Sequence, residues 1–148
     1  MANKKIKFEI TTPERVVYSE EIDEVVIPTM QGEIGILPNH IPLVGILVPG
    51  ELRIKKEGEE ESMAVSGGFV EVRPDKVLVL ADTAEKSDEI DEQKAEEARQ
   101  RAEAIIKEKR TDATDFAALS AKIEKELARL KVAKKSRRRR QRPRANLG

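Results

Sequence analysis

Apolar and polar residues alternate with a period of two at the start of the chain. Ile6, Phe8 and Ile10 are separated by Lys7 and Glu9, the pattern of a strand with one wet face. Short apolar runs follow at 16–18, 25–27, 34–37, 43–48, 52–54, 63–65, 69–72 and 77–80. Turn formers stand between them: Thr12-Pro13, Gln31-Gly32, Pro38-Asn39, Pro49-Gly50, Glu57-Gly58 and Pro74-Asp75. Many short strands, with no helix-length segment among them, predict a compact β-sandwich or barrel over residues 1–84 and argue against a βαβ arrangement.

The period changes near residue 84. From Ser87 there is no Gly and no Pro until Pro143, and Ala, Glu, Lys and Arg dominate. Ser87 is a candidate N-cap, with Asp88, Glu89, Asp91 and Glu92 placing negative charge at a helix N-terminus. Ile90, Ala95, Ala98, Ala102, Ile105 and Ile106 form a narrow stripe at helical spacing. Phe116, Leu119, Ile123, Leu127 and Leu130 form a stronger one, and Thr111 to Asp115 offers the break, with Asp112 or Thr114 as cap. Residues 85–133 are therefore expected to form an antiparallel two-helix hairpin. Each helix of about 20 residues would be roughly 30 Å long, and two such helices cannot enclose a core of their own. The mostly Ala stripe contributes little on burial, which makes the hairpin a candidate for detachment from the β domain.

Composition sharpens this picture in two places. Aromatic residues make up only 3% of the chain, so the core must be built from Val, Ile and Leu. The zero net charge hides an uneven distribution: residues 1–84 carry a net of −6, 85–133 of −2 and 134–148 of +8. A basic, disordered tail from Lys134 is expected, and a basic tail on an acidic body points to an anionic partner. The N-terminus lacks the apolar core of a signal peptide and no apolar run approaches a membrane span, so a soluble intracellular chain is expected.

Candidate chemistry is sparse. The absence of Cys rules out disulfides, thiolate nucleophiles and Cys-ligated zinc, and a single His rules out a two-His metal site. His40 sits between Pro38 and Pro42, where a turn residue with a structural hydrogen bond is a better reading than a catalytic base. Gly32-Glu33-Ile34-Gly35 and Gly67-Gly68 lack the Lys and Ser/Thr of a phosphate loop. No catalytic residues and no metal site are expected. Lys122, Lys125 and Arg129 share a face of the second helix. Beyond them the run Lys134, Lys135, Arg137–Arg140, Arg142 and Arg144 lacks interleaved aromatics, which fits phosphate, lipid or acidic-protein contact better than base recognition.

The stretch from Gly32 to Leu43, GEIGILPNHIPL, closely resembles the epsilon subunit of bacterial-type F-type ATP synthases. Ser66–Val72 (SGGFVEV) and Val77–Glu85 (VLVLADTAE) resemble later signatures of that family, in order, and the resemblance covers roughly residues 6–133. It implies a β-sandwich of two packed antiparallel sheets followed by the hairpin, in a non-catalytic rotor subunit of the central stalk. It implies as partners the gamma subunit, the c ring and the alpha/beta catalytic head, and a peripheral location on the cytoplasmic face of the bacterial membrane. Glu33, Pro38, Asn39 and His40 correspond to the ring-facing loop. Lys122, Lys125 and Arg129 would meet acidic segments of the head when the hairpin extends, restraining ATP hydrolysis, with the tail reinforcing them. Some relatives bind regulatory ATP through an Ile-Asp-x-x-Arg-Ala motif. Here Lys94 replaces the Arg, losing its planar fork. Glu85, Asp91, Lys94, Arg101 and Arg129 are the corresponding nucleotide candidates, weighed against an ordinary helix N-terminus with charge pairs, which is the preferred reading. No cofactor is expected to be required.

The alternative is a nucleic-acid-binding module that uses the Arg-rich tail, which leaves the Gly32–Leu43 loop and the hairpin unexplained. A small enzyme with an unrecognised site is disfavoured by the single His and absent Cys.

Overall fold

The computed structural model describes residues 4–108 and 113–142. The period-two pattern is realised as β1 (Ile6–Thr11), β2 (Val16–Ile22), β3 (Glu24–Thr29), β4 (Gly32–Ile36), β5 (Leu43–Ile46), β6 (Gly50–Lys56), β7 (Glu59–Val72) and β8 (Lys76–Lys86). Ile6, Phe8 and Ile10 of β1 are fully buried, as the alternation requires. They join Ile22, Val25, Ile27, Ile36, Leu52, Ile54, Met63 and Val79 in one core of almost purely aliphatic side chains. Phe8 and Tyr18 supply its aromatic contact, with ring centroids 5.7 Å apart.

The strands form a sandwich in which hydrogen bonding is continuous, in the order β2-β1-β8-β7-β6-β3-β4, with β5 added to β7. Two details differ from the sequence reading. The runs 63–65 and 69–72 are halves of one strand, β7, which passes through Gly67-Gly68 without ending. Its first half pairs with β6 and its second with β5, while β8 accompanies both. The inward positions change parity across the glycines, from Met63 and Val65 to Val70 and Val72, so this ribbon crosses from one layer to the other. Gly68 has φ +103°, and an added Cβ there would fall on the Leu80 carbonyl oxygen. Second, β1 and β8 run parallel, in register from Lys7↔Lys76 to Thr11↔Leu80, so the sheets are not purely antiparallel. Hydrophobic alternation is blind to strand direction.

The helices are α1 (Glu92–Glu108) and α2 (Ala113–Gln141). Ser87 does not cap α1. Residues Ser87–Glu89 form one 3-10 turn, and α1 begins after Asp91, whose Oδ1 accepts the Lys94 N–H at 3.1 Å. Of the two expected caps of α2, Asp112 falls outside the described residues, and Thr114 lies inside the helix rather than before it. Arg137 at the end of α2 meets Glu92 at the start of α1, 3.4 Å apart, which makes the hairpin antiparallel. It is folded down, with α2 lying on β6 and β7 and against α1.

Two expectations about α2 are corrected. Of the stripe Phe116, Leu119, Ile123, Leu127 and Leu130, only Leu130 is buried, and Phe116 and Leu127 are exposed. The buried set lies nearer the C-terminus, at Glu126, Ala128, Leu130, Val132 and Ala133, where α2 fills the angle between α1 and the sandwich. The basic tail is also not disordered over residues 134–141, which continue α2. Lys and Arg are good helix formers, no Gly or Pro interrupts them, and cations suit the negative end of the helix. Residues 143–148, with Arg144, lie outside the described set.

Candidate functional site

Four groups of surface residues carry the candidate functions. On β4, exposed Glu33 accepts two hydrogen bonds from the Arg53 guanidinium, at 3.2 and 3.1 Å. The following loop is held separately. Asn39 adopts a left-handed φ of 64°, and its N–H donates to the Pro74 carbonyl at 2.8 Å. His40 Nδ1 lies 2.7 Å from the Ile41 carbonyl, the structural role expected of a turn histidine. Fixing the backbone this way pushes Leu37 and Ile41 outward, with Ile41 74% exposed. Glu33 is therefore anchored to β6, whereas Asn39 and His40 shape a loop beside the β7–β8 turn, and Pro38 just before them is half-buried.

The three basic residues of α2 are not equivalent. Lys122 is open to solvent. Lys125 borders a cleft of about 360 Å³ shared with Thr12, Arg15, Asp82, Glu85 and Glu89. Arg129 is engaged: Nε and Nη2 donate to the Glu85 carboxylate at 2.6 and 3.1 Å, and Nη1 to Glu126 at 2.8 Å. Burial opposes its charge, but these two carboxylates outweigh burial and raise its pKa further.

Of the nucleotide candidates, the structure brings together Glu85 and Arg129. Asp91 is used as the cap of α1, and Lys94 and Arg101 are exposed. None of these last three borders the cleft that Glu85 lines. Among the described residues there is no group of three His, Cys, Asp or Glu side chains that could hold a metal ion, and no helix long and apolar enough to cross a membrane.

The sequence reading missed a fourth feature. Ile46, Phe69 and Leu80 are direct cross-strand neighbours on β5, β7 and β8, all facing outward. They are 50%, 57% and 49% exposed, and Val44 beside them is 75% exposed. A contiguous apolar row on a chain this highly charged marks a docking surface. Its signal was available in Val77-Leu78-Val79-Leu80, apolar at consecutive positions, because a strand with one wet face alternates.

A β-sandwich carrying a folded-down helical hairpin, an outward apolar row and a presented loop defines a protein built for docking within an assembly. Comparison with known proteins gives the particular family. Residues 5–87 match the beta-sandwich domain of the ATP synthase Delta/Epsilon chain, and residues 88–134 match its long alpha-helix domain. The chain belongs to that family. It is 50% identical over 133 residues to the ATP synthase epsilon chain of Dehalococcoides mccartyi, covering 90% of this chain and 95% of that one. It is 51% identical over 129 residues to the epsilon chain of Chloroflexus aggregans, covering 86% and 91%. A chain in the Euglena gracilis mitochondrial ATP synthase structure (OSCP/F1/c-ring) superposes with a TM-score of 0.71 at 27% identity, over 83% of this chain and 79% of that one. A chain of the Tetrahymena thermophila central stalk/c-ring structure shares the fold, with a TM-score of 0.54 at 20% identity over 90% and 98%.

Proposed function

We propose that this chain is the epsilon-type, non-catalytic central-stalk subunit of a proton-translocating ATP synthase. It couples the catalytic head to the c ring, and its hairpin restrains ATP hydrolysis. The apolar row Val44, Ile46, Phe69 and Leu80 supports the docking role most directly, because a stable aqueous surface has no use for it. The gamma subunit is the partner assigned to that row. The loop carrying Pro38, Asn39 and His40 faces the c ring through exposed Leu37 and Ile41, and Glu33 on β4 is assigned to the same interface. The chain is thereby held peripherally at the cytoplasmic face of a bacterial membrane, through the complex.

Restraint of hydrolysis requires the hairpin to leave the sandwich. In the folded-down state Lys122 is open to solvent and Lys125 borders a cleft, whereas Arg129 is bound to Glu85 and Glu126. On extension Arg129 exchanges these for acidic segments of the alpha/beta head, alongside Lys122 and Lys125. Assembling the complex with a chain lacking residues 112–148 is expected to raise ATPase activity; unchanged activity would refute the inhibitory role. No regulatory ATP is needed for this scheme. Glu85 already occupies Arg129, and Asp91 is committed to its helix cap. Binding heat in a calorimetric titration with millimolar ATP, lost in Arg129→Ala, would overturn that reading.

A further inference from the structure

The basic extension of α2 meets the sandwich at an unusual point. Glu51 lies on the outward face of β6, opposite Ala64 of β7, and α2 covers both. The Glu51 side chain is only 2% exposed, and its Oε2 has no hydrogen-bond partner among the described residues. Its Oε1 is reached by Lys135 Nζ at 3.2 Å and by Arg53 Nη1 at 3.5 Å. Lys135 also donates to Glu60 at 2.8 Å, and Arg139 donates to the Glu60 carbonyl oxygen. Arg137 completes the set on Glu92.

A buried carboxylate with one oxygen unsatisfied opposes the folded-down state, because lifting α2 would return it to water. Arg53 is shared with Glu33, which holds it closer. Lys135 is the compensating charge that arrives with the hairpin and leaves with it. We propose that residues 135–141 are an intramolecular latch, in which Lys135, supported by Arg139, seats the hairpin by neutralising Glu51. The partner of this part of the basic tail is the chain's own sandwich, rather than the catalytic head or a nucleic acid. The latch residues lie beyond position 134, where the family match ends. By contrast Lys131, Lys134 and Arg138 follow one another at three and four residues on the solvent side of the same helix, and the latch does not use them.

The test uses the isolated full-length chain, so it does not depend on what the extended hairpin contacts. The native sequence has no Cys, and Ala64 is 4% exposed beneath α2, so in Ala64→Cys a thiol reagent reports lifting of the hairpin. In that background Lys135→Gln is expected to label about tenfold faster, a reduced effect because Lys135 is half exposed and Arg53 remains. Arg138→Gln should label at the parent rate. Adding Glu51→Met to Lys135→Gln should restore slow labelling, because it removes the buried charge that Lys135 serves. Unchanged labelling in Lys135→Gln, or a double variant as fast as Lys135→Gln, would overturn the latch.

Discussion

Phe69 is the residue whose replacement separates docking from folding. Its ring stands on the outward face of β7 between Ile46 and Leu80 and is 57% exposed. A phenylalanine side chain buries about 200 Å² when fully enclosed, so roughly 110 Å² remains for a partner to cover. At about 25 cal/mol per Å², Phe69→Ala removes about 2.5–3 kcal/mol from association, close to a hundredfold in Kd. Stability should change by less than about 1 kcal/mol, because the row is not part of the core. The assay is surface plasmon resonance of the full-length chain on an immobilised gamma–c-ring assembly, with the loss appearing mainly in the dissociation rate. Phe116→Ala is the control: this ring is 52% exposed, but on the hairpin, and its loss should leave affinity unchanged. Undiminished affinity in Phe69→Ala would refute the assignment of this face.

Other consequences follow from single residues. Gly68→Ala forces a Cβ onto the Leu80 carbonyl at φ +103°, and should destabilise the chain by about 2–4 kcal/mol in urea unfolding. Asp91→Ala removes the cap of α1 and should cost about 1 kcal/mol, read as faster amide exchange in the first turn. Acid should weaken the fold through carboxylates held below their ordinary values of 4.5 for Glu and 3.8 for Asp. Lys56 does this for Glu20, Lys5 for Asp23 and Lys135 for Glu60. Their contribution is complete above those ordinary values and is lost as pH falls through the lower folded ones, so the urea midpoint should be flat near neutrality and drop only below about pH 4.5.

Much of this organisation is legible in the residues themselves. The buried residues of β1 are those that the alternation selects, and the change of period near residue 84 marks the passage from strands to helices. Long-range geometry was less legible. The apolar runs 63–65 and 69–72 read as two separate runs, yet one strand passes through Gly67-Gly68 because β8 pairs with both of its halves. The α2 stripe from Phe116 to Leu130 has helical spacing, but the sandwich contacts the helix only further along, so the buried positions shift toward Val132. At the candidate sites, charge and spacing alone grouped Lys122, Lys125 and Arg129. Their different states depend on Glu85, 44 residues away from Arg129 in sequence, and on a partner face that no local pattern encodes. Residues 134–141 read as disordered by composition, yet they continue α2, where Lys135 meets Glu51 and Glu60 from distant strands.

The central claim, that this chain works as a rotor subunit of an ATP synthase, is tested most directly by capturing tagged full-length chain from detergent-solubilised membranes of its own organism. The account predicts recovery of the gamma subunit, the alpha/beta head and the c ring together, in fixed proportion to the chain. Recovery of nucleic-acid complexes without those subunits would contradict it.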